Sequence, residues 1–328
     1  MRYMVTGATG FIGSHVARQL IEKKHHVHAL IRSPGKAVNL KEWGASLFTG
    51  DITDKDSIRK AMQGVDGVFH IAALYQLGIR DRKMAESINV EGTRNVLELM
   101  RELDIKKGVY TSSLAVFSDT KGEMFDESYR FTGKHLSVYD QTKWDAHYRV
   151  AQPMIDEGLP LVIVLPGLTY GPGDNSSVGD LLQSYLDGKL NMLPSGTKLC
   201  WAHVDDIAAG HILAMEKGVS SQSYIIAGIP HTFQEAFAIA EEVTGIPAPK
   251  KEAKPGTMKF LSKVMKVMEV FIKPPPHYSS EGLRVSAGVT YLGSNNRARR
   301  ELGYEVRTLR EGLQETLQEM MGERKSSG

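Results

Sequence analysis

Short apolar stretches alternate along the first half of the chain with longer stretches whose apolar residues recur at helical spacing. The first apolar stretch leads through Gly7 into a helical pattern that opens at Phe11 and continues through Val16 and Leu20. A longer helical pattern, with an inner apolar stripe within residues 96–103, precedes the fifth apolar stretch. The pattern predicts six strands, at residues 3–5, 26–31, 46–49, 67–71, 108–111 and 161–165.

Strands separated by helices imply right-handed crossover connections and a parallel, doubly wound sheet. The predicted fold class is therefore α/β, with a Rossmann-type domain over residues 1–165. From Pro166 onward the chain is rich in glycine, proline and polar turn formers, and the later strand and helix patterns are irregular. We expect residues 166–328 to form mainly a smaller, mixed C-terminal lobe that binds substrate, with residues 201–228 returning to the first domain.

Residues 258–272 have the pattern of a basic amphipathic helix. Its apolar positions are Met258, Leu261, Met265, Met268 and Ile272, and its lysines are Lys259, Lys263, Lys266 and Lys273. The pattern is compatible with a helix packed on the core with a solvated lysine face, with a lid over an apolar substrate pocket, or with contact to a membrane surface. We favour the first two interpretations.

Composition narrows the setting in which the protein works. Apolar residues make up 41% of the chain and charged residues 24%, which is typical of a globular protein. The formal net charge of +2 predicts no nucleic-acid partner. The single cysteine, Cys200, has no partner for an internal disulfide and fits a reducing compartment. With a first strand too early for a signal peptide and no apolar run long enough for membrane insertion, we expect a cytoplasmic protein.

Three glycines follow the first strand at a spacing of three residues. Gly7 permits a tight turn, Gly10 lets a pyrophosphate approach the backbone, and Gly13 lets the next helix pack closely on its strand. The phosphates would then lie at the helix N-terminus, where free N–H groups and the helix dipole favour negative charge. Glycines alone mark many turns, and it is their place between a strand and a helix that indicates a dinucleotide site.

The residues after the second strand predict which dinucleotide is bound. NAD-binding sites place an acidic residue there for the ribose 2′-hydroxyl, whereas an arginine accommodates the 2′-phosphate of NADP. Here Arg32 ends the strand and Lys36 follows, and the sequence has no carboxylate nearby. We therefore expect NADP(H). The alternative is NAD(H), with Arg32 in solvent.

A tyrosine and a lysine four residues apart, Tyr139 and Lys143, share one face of a predicted helix. An ammonium beside a phenol favours the phenolate, so the pair could move a proton to or from a substrate oxygen. The fifth strand ends in Thr111, Ser112 and Ser113, and ligands of doubly wound sheets bind beyond the carboxyl ends of the strands. A serine hydroxyl there can stabilise charge developing on a carbonyl oxygen. The alternative is a surface tyrosine and lysine, with serines that only cap the strand.

These motifs together resemble the extended short-chain dehydrogenases/reductases, which include NAD(P)-dependent epimerases, dehydratases and dihydroflavonol-reductase-like enzymes. The resemblance rests on TGATGFIG, on GDI at residues 50–52, HIAA at 70–73, NVEGT at 89–93, TSS at 111–113, YDQTK at 139–143 and HVDD at 203–206. The stretches HALIRSPGK, VFHIAALYQLG and YTSSLAVF look closest to dihydroflavonol-reductase-like and hopanoid-associated epimerase-like proteins. Departures such as AVFSDTKG after residue 114 weaken the likeness to enzymes that act on nucleotide sugars.

The resemblance implies a role for each matching residue. It gives Ser113 the orientation of the substrate and Tyr139 the transfer of the proton, and it makes Lys143 hold the nicotinamide ribose and lower the tyrosine pKa. Asp205 and Asp206 are implied to be structural. The residues expected to bind the cofactor are Gly7, Thr9, Gly10, Phe11, Ile12, Gly13, Arg32, Lys36, Asp51, Ile52, Ala72, Ala73, Tyr139, Lys143, Pro166 and Leu168. No metal ligands are expected.

The sequence thus leads to an NADP(H)-dependent oxidoreductase that interconverts a carbonyl and an alcohol. One alternative is a nucleotide-sugar epimerase or dehydratase that recycles its NAD(P) internally. A second alternative is a dinucleotide-binding regulator without catalysis, although such a protein has no need of a Ser-Tyr-Lys set. The resemblance further implies a homodimer formed by the helices near residues 84–104 and 140–157.

Overall fold

The computed structural model describes residues 1–79, 81–275 and 278–327. The strands are β1 (Arg2–Thr6), β2 (His26–Ile31), β3 (Ser46–Thr49), β4 (Gly67–His70), β5 (Gly108–Thr111), β6 (Leu161–Pro166), β7 (Leu168–Tyr170), β8 (Met192–Pro194), β9 (Lys198–His203), β10 (Ser223–Ile226), β11 (Pro230–Thr232), β12 (Lys251–Ala253) and β13 (Thr290–Tyr291). The helices are α1 (Phe11–Glu22), α2 (Val38–Glu42), α3 (Lys55–Met62), α4 (Arg82–Glu86), α5 (Gly92–Glu102), α6 (Val138–Asp145), α7 (Gln152–Asp156), α8 (Ser177–Leu186), α9 (Val204–Lys217), α10 (Phe233–Thr244), α11 (Pro255–Met268), α12 (Ser280–Val285) and α13 (Leu309–Ser327).

Seven strands form one sheet in the order β10, β6, β5, β4, β1, β2, β3, and every neighbouring pair is parallel. This confirms the predicted α/β class and its Rossmann-type sheet. The six predicted strands are present, and their bounds differ from the prediction by at most one residue at either end. The strand order reverses between β1 and β4, which opens a crevice at their carboxyl ends where ligands of such folds bind.

Helices cover both faces of this sheet, so alternate residues of one strand enter two separate cores. Met4 of β1 and Val68 of β4 belong to the core on one face. Their neighbours Val5 and Phe69 belong to the core on the other face. Burial on both faces explains why the strands read as continuous apolar stretches and not as alternating ones.

Two long helices each contain a wider turn. Residues 82–102 run without a break through α4, a π-helical turn at Ser87–Glu91, and α5. Residues 138–156 do the same through α6, a π-helical turn at Ala146–Ala151, and α7. Such π-helical turns are frequent near functional sites. Here they lie in the two helices that carry Asn89 and Lys143.

The smaller C-terminal lobe combines short strands with α8, α10 and α13. β9 is its central strand and pairs with β7, β11 and β13, while β8 pairs with β12. Its core contains the aromatic residues Tyr170, Tyr185, Trp201 and Phe237. β10 lies not in this lobe but at the edge of the large sheet, beside β6. The division of the chain into domains stays a prediction.

The helix predicted at residues 258–272 is α11, which ends at Met268, and only two of the five apolar positions of the pattern pack inward. Met258 and Met265 pack in a small cluster with Leu283 and Ala287 of the α12 region. The other three positions of the pattern, Leu261, Met268 and Ile272, are between 43% and 45% exposed. The reason is that α11 packs on the short helix α12 and not on the main core. Only a narrow stripe of its side chains is therefore buried. Within the described residues, we find no helix with the length and apolar character that a membrane crossing requires.

Candidate active site

The turn after β1 is shaped to receive a phosphate group. Gly7 has φ +68°, a left-handed conformation that glycine adopts without steric cost. A Cβ on Gly13 would lie 2.1 Å from the carbonyl oxygen of Gly7, so α1 begins directly against the turn. Gly10 is the N-cap of α1, and no side chain bonds the first N–H groups. These N–H groups and the helix dipole fit the pyrophosphate of a dinucleotide. The other residues predicted here are Thr9, which is exposed, and Phe11 and Ile12, which are half-buried.

A buried hydrogen-bond network joins the ends of β1 and β4 beneath this turn. The Thr6 Oγ1 accepts from the N–H of Ala72 at 3.1 Å and lies 2.9 Å from His70 Nδ1. His70 Nε2 lies 3.0 Å from Thr93 Oγ1, which donates its own proton to a backbone carbonyl. Thr93 therefore accepts from Nε2–H, and Nδ1 accepts from Thr6. Burial lowers the pKa of His70 to about 3, with Lys143 acting in the same direction, so the imidazole is neutral.

Arg32, predicted to bind the 2′-phosphate, lies beside Asp51, another of the predicted cofactor residues. The Arg32 side chain is 72% exposed at the end of β2, and its Nη1 lies 4.0 Å from Asp51 Oδ2. The two residues meet because β2 and β3 pair in parallel, with Ile31 opposite Thr49. No carboxylate stands close to Arg32 in the sequence, as predicted, but the fold brings Asp51 close to it in space. Lys36 is exposed in a short turn after β2.

The remaining predicted cofactor residues follow the carboxyl ends of the strands. Ile52, predicted to bind the cofactor, is only 6% exposed, and a Cβ on Gly92 would lie 2.7 Å from its Cδ1. Its side chain thus faces the helix that contains Gly92. Ala73 is exposed after β4. Pro166 is the buried last residue of β6, and Leu168 is half-buried in β7.

The structure brings Ser113 and Tyr139 together and separates Ser112 from them. The Ser112 Oγ lies 2.8 Å from His147 Nδ1 in a fully buried contact. Ser113 is half-buried, and its Oγ accepts from the N–H of Ala115 at 3.1 Å. Burial raises the pKa of Tyr139, while a hydrogen bond with the Ser113 side chain acts in the opposite direction. The phenol is therefore neutral, with its proton available to a group beside Ser113.

Lys143 is buried, and its ammonium contacts the carboxyl end of β5. Its Nζ donates to the carbonyl oxygen of Thr111 at 2.6 Å and lies 4.8 Å from the centre of the Tyr110 ring. Burial lowers the pKa of Lys143 from 10.5 to about 7. The groups that shift the pKa of Tyr139 are Ser113, Tyr75 and Asp140 in addition to burial. Burial thus dominates the pKa of Tyr139, and the lowering by Lys143 that the resemblance implies stays a prediction.

Two further side chains shape the surroundings of Tyr139. The Tyr75 ring meets the Tyr139 ring edge to face at 4.9 Å and remains 47% exposed. Asp140 is buried and accepts from the hydroxyls of Ser137 at 2.5 Å and Tyr291 at 3.0 Å. Burial raises the pKa of Asp140 to about 7. Tyr75 thus places a half-exposed ring next to Tyr139. We call this ring the aromatic wall, and we call the crevice at the carboxyl ends of the strands the cleft.

Asp205 and Asp206, in the first turn of α9, connect this helix to distant segments of the chain. Each binds an arginine from a distant segment, Asp205 with Arg18 at 2.7 Å and Asp206 with Arg307 at 2.9 Å. His203, Asp205 and Glu315 bring donor atoms within 4.8 Å of one another, the arrangement that a metal ion needs. Both carboxylates of this set already bind arginines, which supply the positive charge.

No role in the site was predicted for Asn89 from the sequence. Its Nδ2 donates to the carbonyl of Leu74 at 3.1 Å and to Thr142 Oγ1 at 2.9 Å, and its Oδ1 accepts from the N–H of Leu74 at 2.7 Å. It therefore fastens the loop after β4 to the helix that carries Tyr139. An amide on the inner side of a helical pattern was the available signal, because buried polar groups require partners.

Comparisons with known proteins agree with this geometry. The model of the NAD dependent epimerase/dehydratase family matches residues 3–227. The "Putative dihydroflavonol 4-reductase" of Synechocystis sp. is 31% identical over 319 residues, covering 95% of this chain and 92% of that protein. Sterol demethylase protein B of Methylococcus capsulatus is 28% identical over 309 residues, covering 92% and 93%. The crystal structure of gox2253 superposes with a TM-score of 0.85 at 29% identity, covering 98% of each chain.

The matched residues include the glycine turn, the Ser113 segment and the Tyr139 helix, and the matched relatives cover nearly the whole chain. The chain belongs to the NAD-dependent epimerase/dehydratase family, within the extended short-chain dehydrogenases/reductases, and is an NAD(P)-dependent oxidoreductase.

Proposed function

We propose that the protein reduces a carbonyl to an alcohol, or catalyses the reverse reaction, with NADP(H). The observation that carries this proposal is the neutral phenol of Tyr139 beside Ser113, at the carboxyl end of β5. A buried, protonated phenol is suited to give its proton to an oxygen that gains negative charge. A Cβ at Gly7 or Gly13 would collide with nearby backbone atoms, so the turn requires glycine at both positions. This close backbone supports the binding of a dinucleotide in the crevice.

The residues of the cleft would have separate roles in this reaction. The bound nicotinamide supplies or accepts a hydride. Ser113 donates a hydrogen bond to the carbonyl oxygen, and Tyr139 transfers its phenolic proton to the same oxygen. An ammonium has three donors, and Lys143 uses one of them on the carbonyl of Thr111. Its other donors remain for the ribose hydroxyls, and its charge stabilises the phenolate that Tyr139 becomes.

The preference for NADP(H) rests on the charge at the ribose end of the crevice. The exposed guanidinium of Arg32 can bind a 2′-phosphate in a bidentate arrangement, and Lys36 adds a second positive charge. Asp51 reduces this attraction, since its carboxylate lies 4.0 Å from Arg32. Two cations against one carboxylate favour the phosphorylated cofactor over NAD(H).

We further propose that the substrate is an apolar ketone with a ring system. The ring of Tyr75 stands at 80° to the ring of Tyr139 and is 47% exposed, so it offers an aromatic surface next to the proposed proton donor. Two relatives that match over nearly their full length are named for a dihydroflavonol and for a sterol, which are both ring compounds.

The test is NADPH consumption by the purified protein against a panel of ring ketones, aliphatic ketones, aldehydes and nucleotide sugars, with analysis of every product. The proposal expects net NADPH oxidation and formation of an alcohol from a ring ketone. A changed nucleotide sugar without net loss of cofactor would instead establish an epimerase or dehydratase. Binding of NADPH without turnover of any compound would establish a regulator, and both results would contradict the proposal.

A further inference from the structure

The outer face of α11 and the residues that follow it form an unusual apolar surface. We call it the α11 patch and define it as Phe260, Leu261, Val264, Val267, Met268 and Phe271. Each of these side chains is between 42% and 80% exposed. Among the described residues of the chain, this short segment holds the densest group of exposed large apolar side chains. Monomeric proteins seldom expose so many together, and such patches mark interaction sites.

The helix geometry shows that the patch faces away from the protein. At about 100° per residue, Met258, Ser262 and Met265 fall on one side of α11. This side packs on α12, where Ser262 Oγ donates to the carbonyl of Ser280 at 2.6 Å. Phe260 and Val267 point in the opposite direction. A lid would turn its apolar side chains toward the pocket below it. The patch faces away from the protein and therefore does not have the orientation of a lid.

The charge around the patch is strongly positive. Residues 250–273 contain seven lysines and two glutamates, a net charge of +5 in a chain whose total is +2. Lys259, Lys263 and Lys266 are exposed along the flank of the apolar face. Two copies of the chain that met through this face would bring their lysines together, so self-association there is disfavoured. The partner that suits the patch is apolar within and negatively charged at its surface.

We propose that the α11 patch binds the surface of an anionic lipid bilayer. The apolar face would enter the boundary between headgroups and acyl chains, and the lysine flank would contact anionic headgroups. The helix would lie on the bilayer and not cross it. This inference does not depend on the proposed reaction, because lipid binding needs neither the cofactor nor Tyr139.

The position of the patch gives membrane binding a consequence for the cleft. α12 lies between α11 and the cleft, and its Glu281 accepts hydrogen bonds from the N–H groups of Gly78 and Val138. Val138 immediately precedes Tyr139, and Gly78 lies in the same loop as Tyr75. A bilayer on the outer face of α11 would therefore be separated from the cleft by α11 and α12, and the hydrogen bonds of Glu281 would connect this helix pair to the segments that carry Tyr75 and Tyr139.

The experiment is sedimentation of the full chain with vesicles of phosphatidylcholine containing about 30% phosphatidylglycerol, and with phosphatidylcholine alone. One variant carries Phe260→Ser, Val267→Ser and Phe271→Ser. Its matched control replaces exposed apolar residues elsewhere, with Val38→Ser, Val219→Ser and Ile229→Ser. A second variant carries Lys259→Gln, Lys263→Gln and Lys266→Gln, and its control carries Lys23→Gln, Lys41→Gln and Lys60→Gln. Circular dichroism verifies that every variant is folded.

We expect binding to the anionic vesicles that falls at least about tenfold in the apolar variant. Binding should fall on the order of a hundredfold in the lysine variant, since each lysine near an anionic surface contributes roughly fivefold. Both controls should bind like the wild type, and added salt should weaken binding. The proposal fails if the wild type does not bind, or if neutral vesicles bind equally well. It also fails if light scattering shows that the apolar variant converts a dimer into a monomer, because the occupant is then a second copy.

Discussion

Lys143 allows a quantitative test of how much the burial of its ammonium lowers the free energy of unfolding. The substitution Lys143→Met keeps an unbranched side chain and removes a buried ammonium. Burial lowers the pKa of this ammonium from 10.5 to about 7, so the unfolded chain binds more protons than the folded chain between these pH values. The free energy of unfolding of the wild type therefore rises with pH across this window.

The magnitude follows from linkage between the two pKa values. At pH 6.5 the shift costs the wild type about 4.5 kcal/mol, and at pH 9.5 about 1.5 kcal/mol. Lys143→Met also loses the hydrogen bond to Thr111 and the contact with the Tyr110 ring, which contribute about the same at both pH values. The difference in unfolding free energy between variant and wild type should thus move by about 3 kcal/mol in favour of the wild type between pH 6.5 and pH 9.5.

The assay is urea unfolding of both proteins at several pH values, followed by circular dichroism. Other titrating groups are common to both proteins and cancel in the difference. Lys60→Met, at an exposed position, serves as the control and should show no such pH dependence. A constant difference between Lys143→Met and the wild type would refute the burial of a charged lysine. The variant should also lose turnover, since Lys143 is proposed to hold the ribose.

Three other predictions follow from the same structure. Arg32→Asp should raise the Kd for NADPH at least about tenfold relative to that for NADH, and an unchanged ratio would refute the 2′-phosphate contact. Gly13→Ala should abolish NADPH binding in fluorescence titrations, because its Cβ would lie 2.1 Å from Gly7 O, whereas Gly322→Ala, with open space around it, should bind normally. Light scattering should give about twice the chain mass of 36.2 kDa, and a monomer would refute the homodimer that the family resemblance implies.

Six strands of the large sheet could be predicted from the sequence because most of them are buried on both faces. Such strands are continuous apolar stretches between glycines and helical patterns, and β2, β3 and β5 have the predicted bounds. Ser113 could be placed near the site because it follows the end of β5 closely, whereas Tyr139 was a candidate because of its spacing to Lys143, and the roles of both stay predictions. The position of Ser113 follows from the general rule that ligands bind beyond the carboxyl ends of parallel strands.

The features that were missed depend on contacts between distant segments. Asp51 lies beside Arg32 only because of the register of β2 and β3, which no local pattern encodes. The raised pKa of Tyr139 depends on how deeply the loop of Tyr75 covers it. The exposure of α11 depends on how little of the protein lies against it. In each case, the sequence specifies the residue type but not its neighbour.

The most direct test of the proposed function is turnover by Tyr139→Phe with the most active ketone of the panel. Loss of the proton donor should lower kcat at least about a hundredfold, with the Kd for NADPH within about twofold of the wild-type value. Tyr148→Phe, which removes a hydroxyl that bonds the carbonyl of Tyr129, should keep wild-type turnover. If Tyr139→Phe retains more than about a tenth of the wild-type kcat, Tyr139 is not the proton donor and the proposed reaction is contradicted.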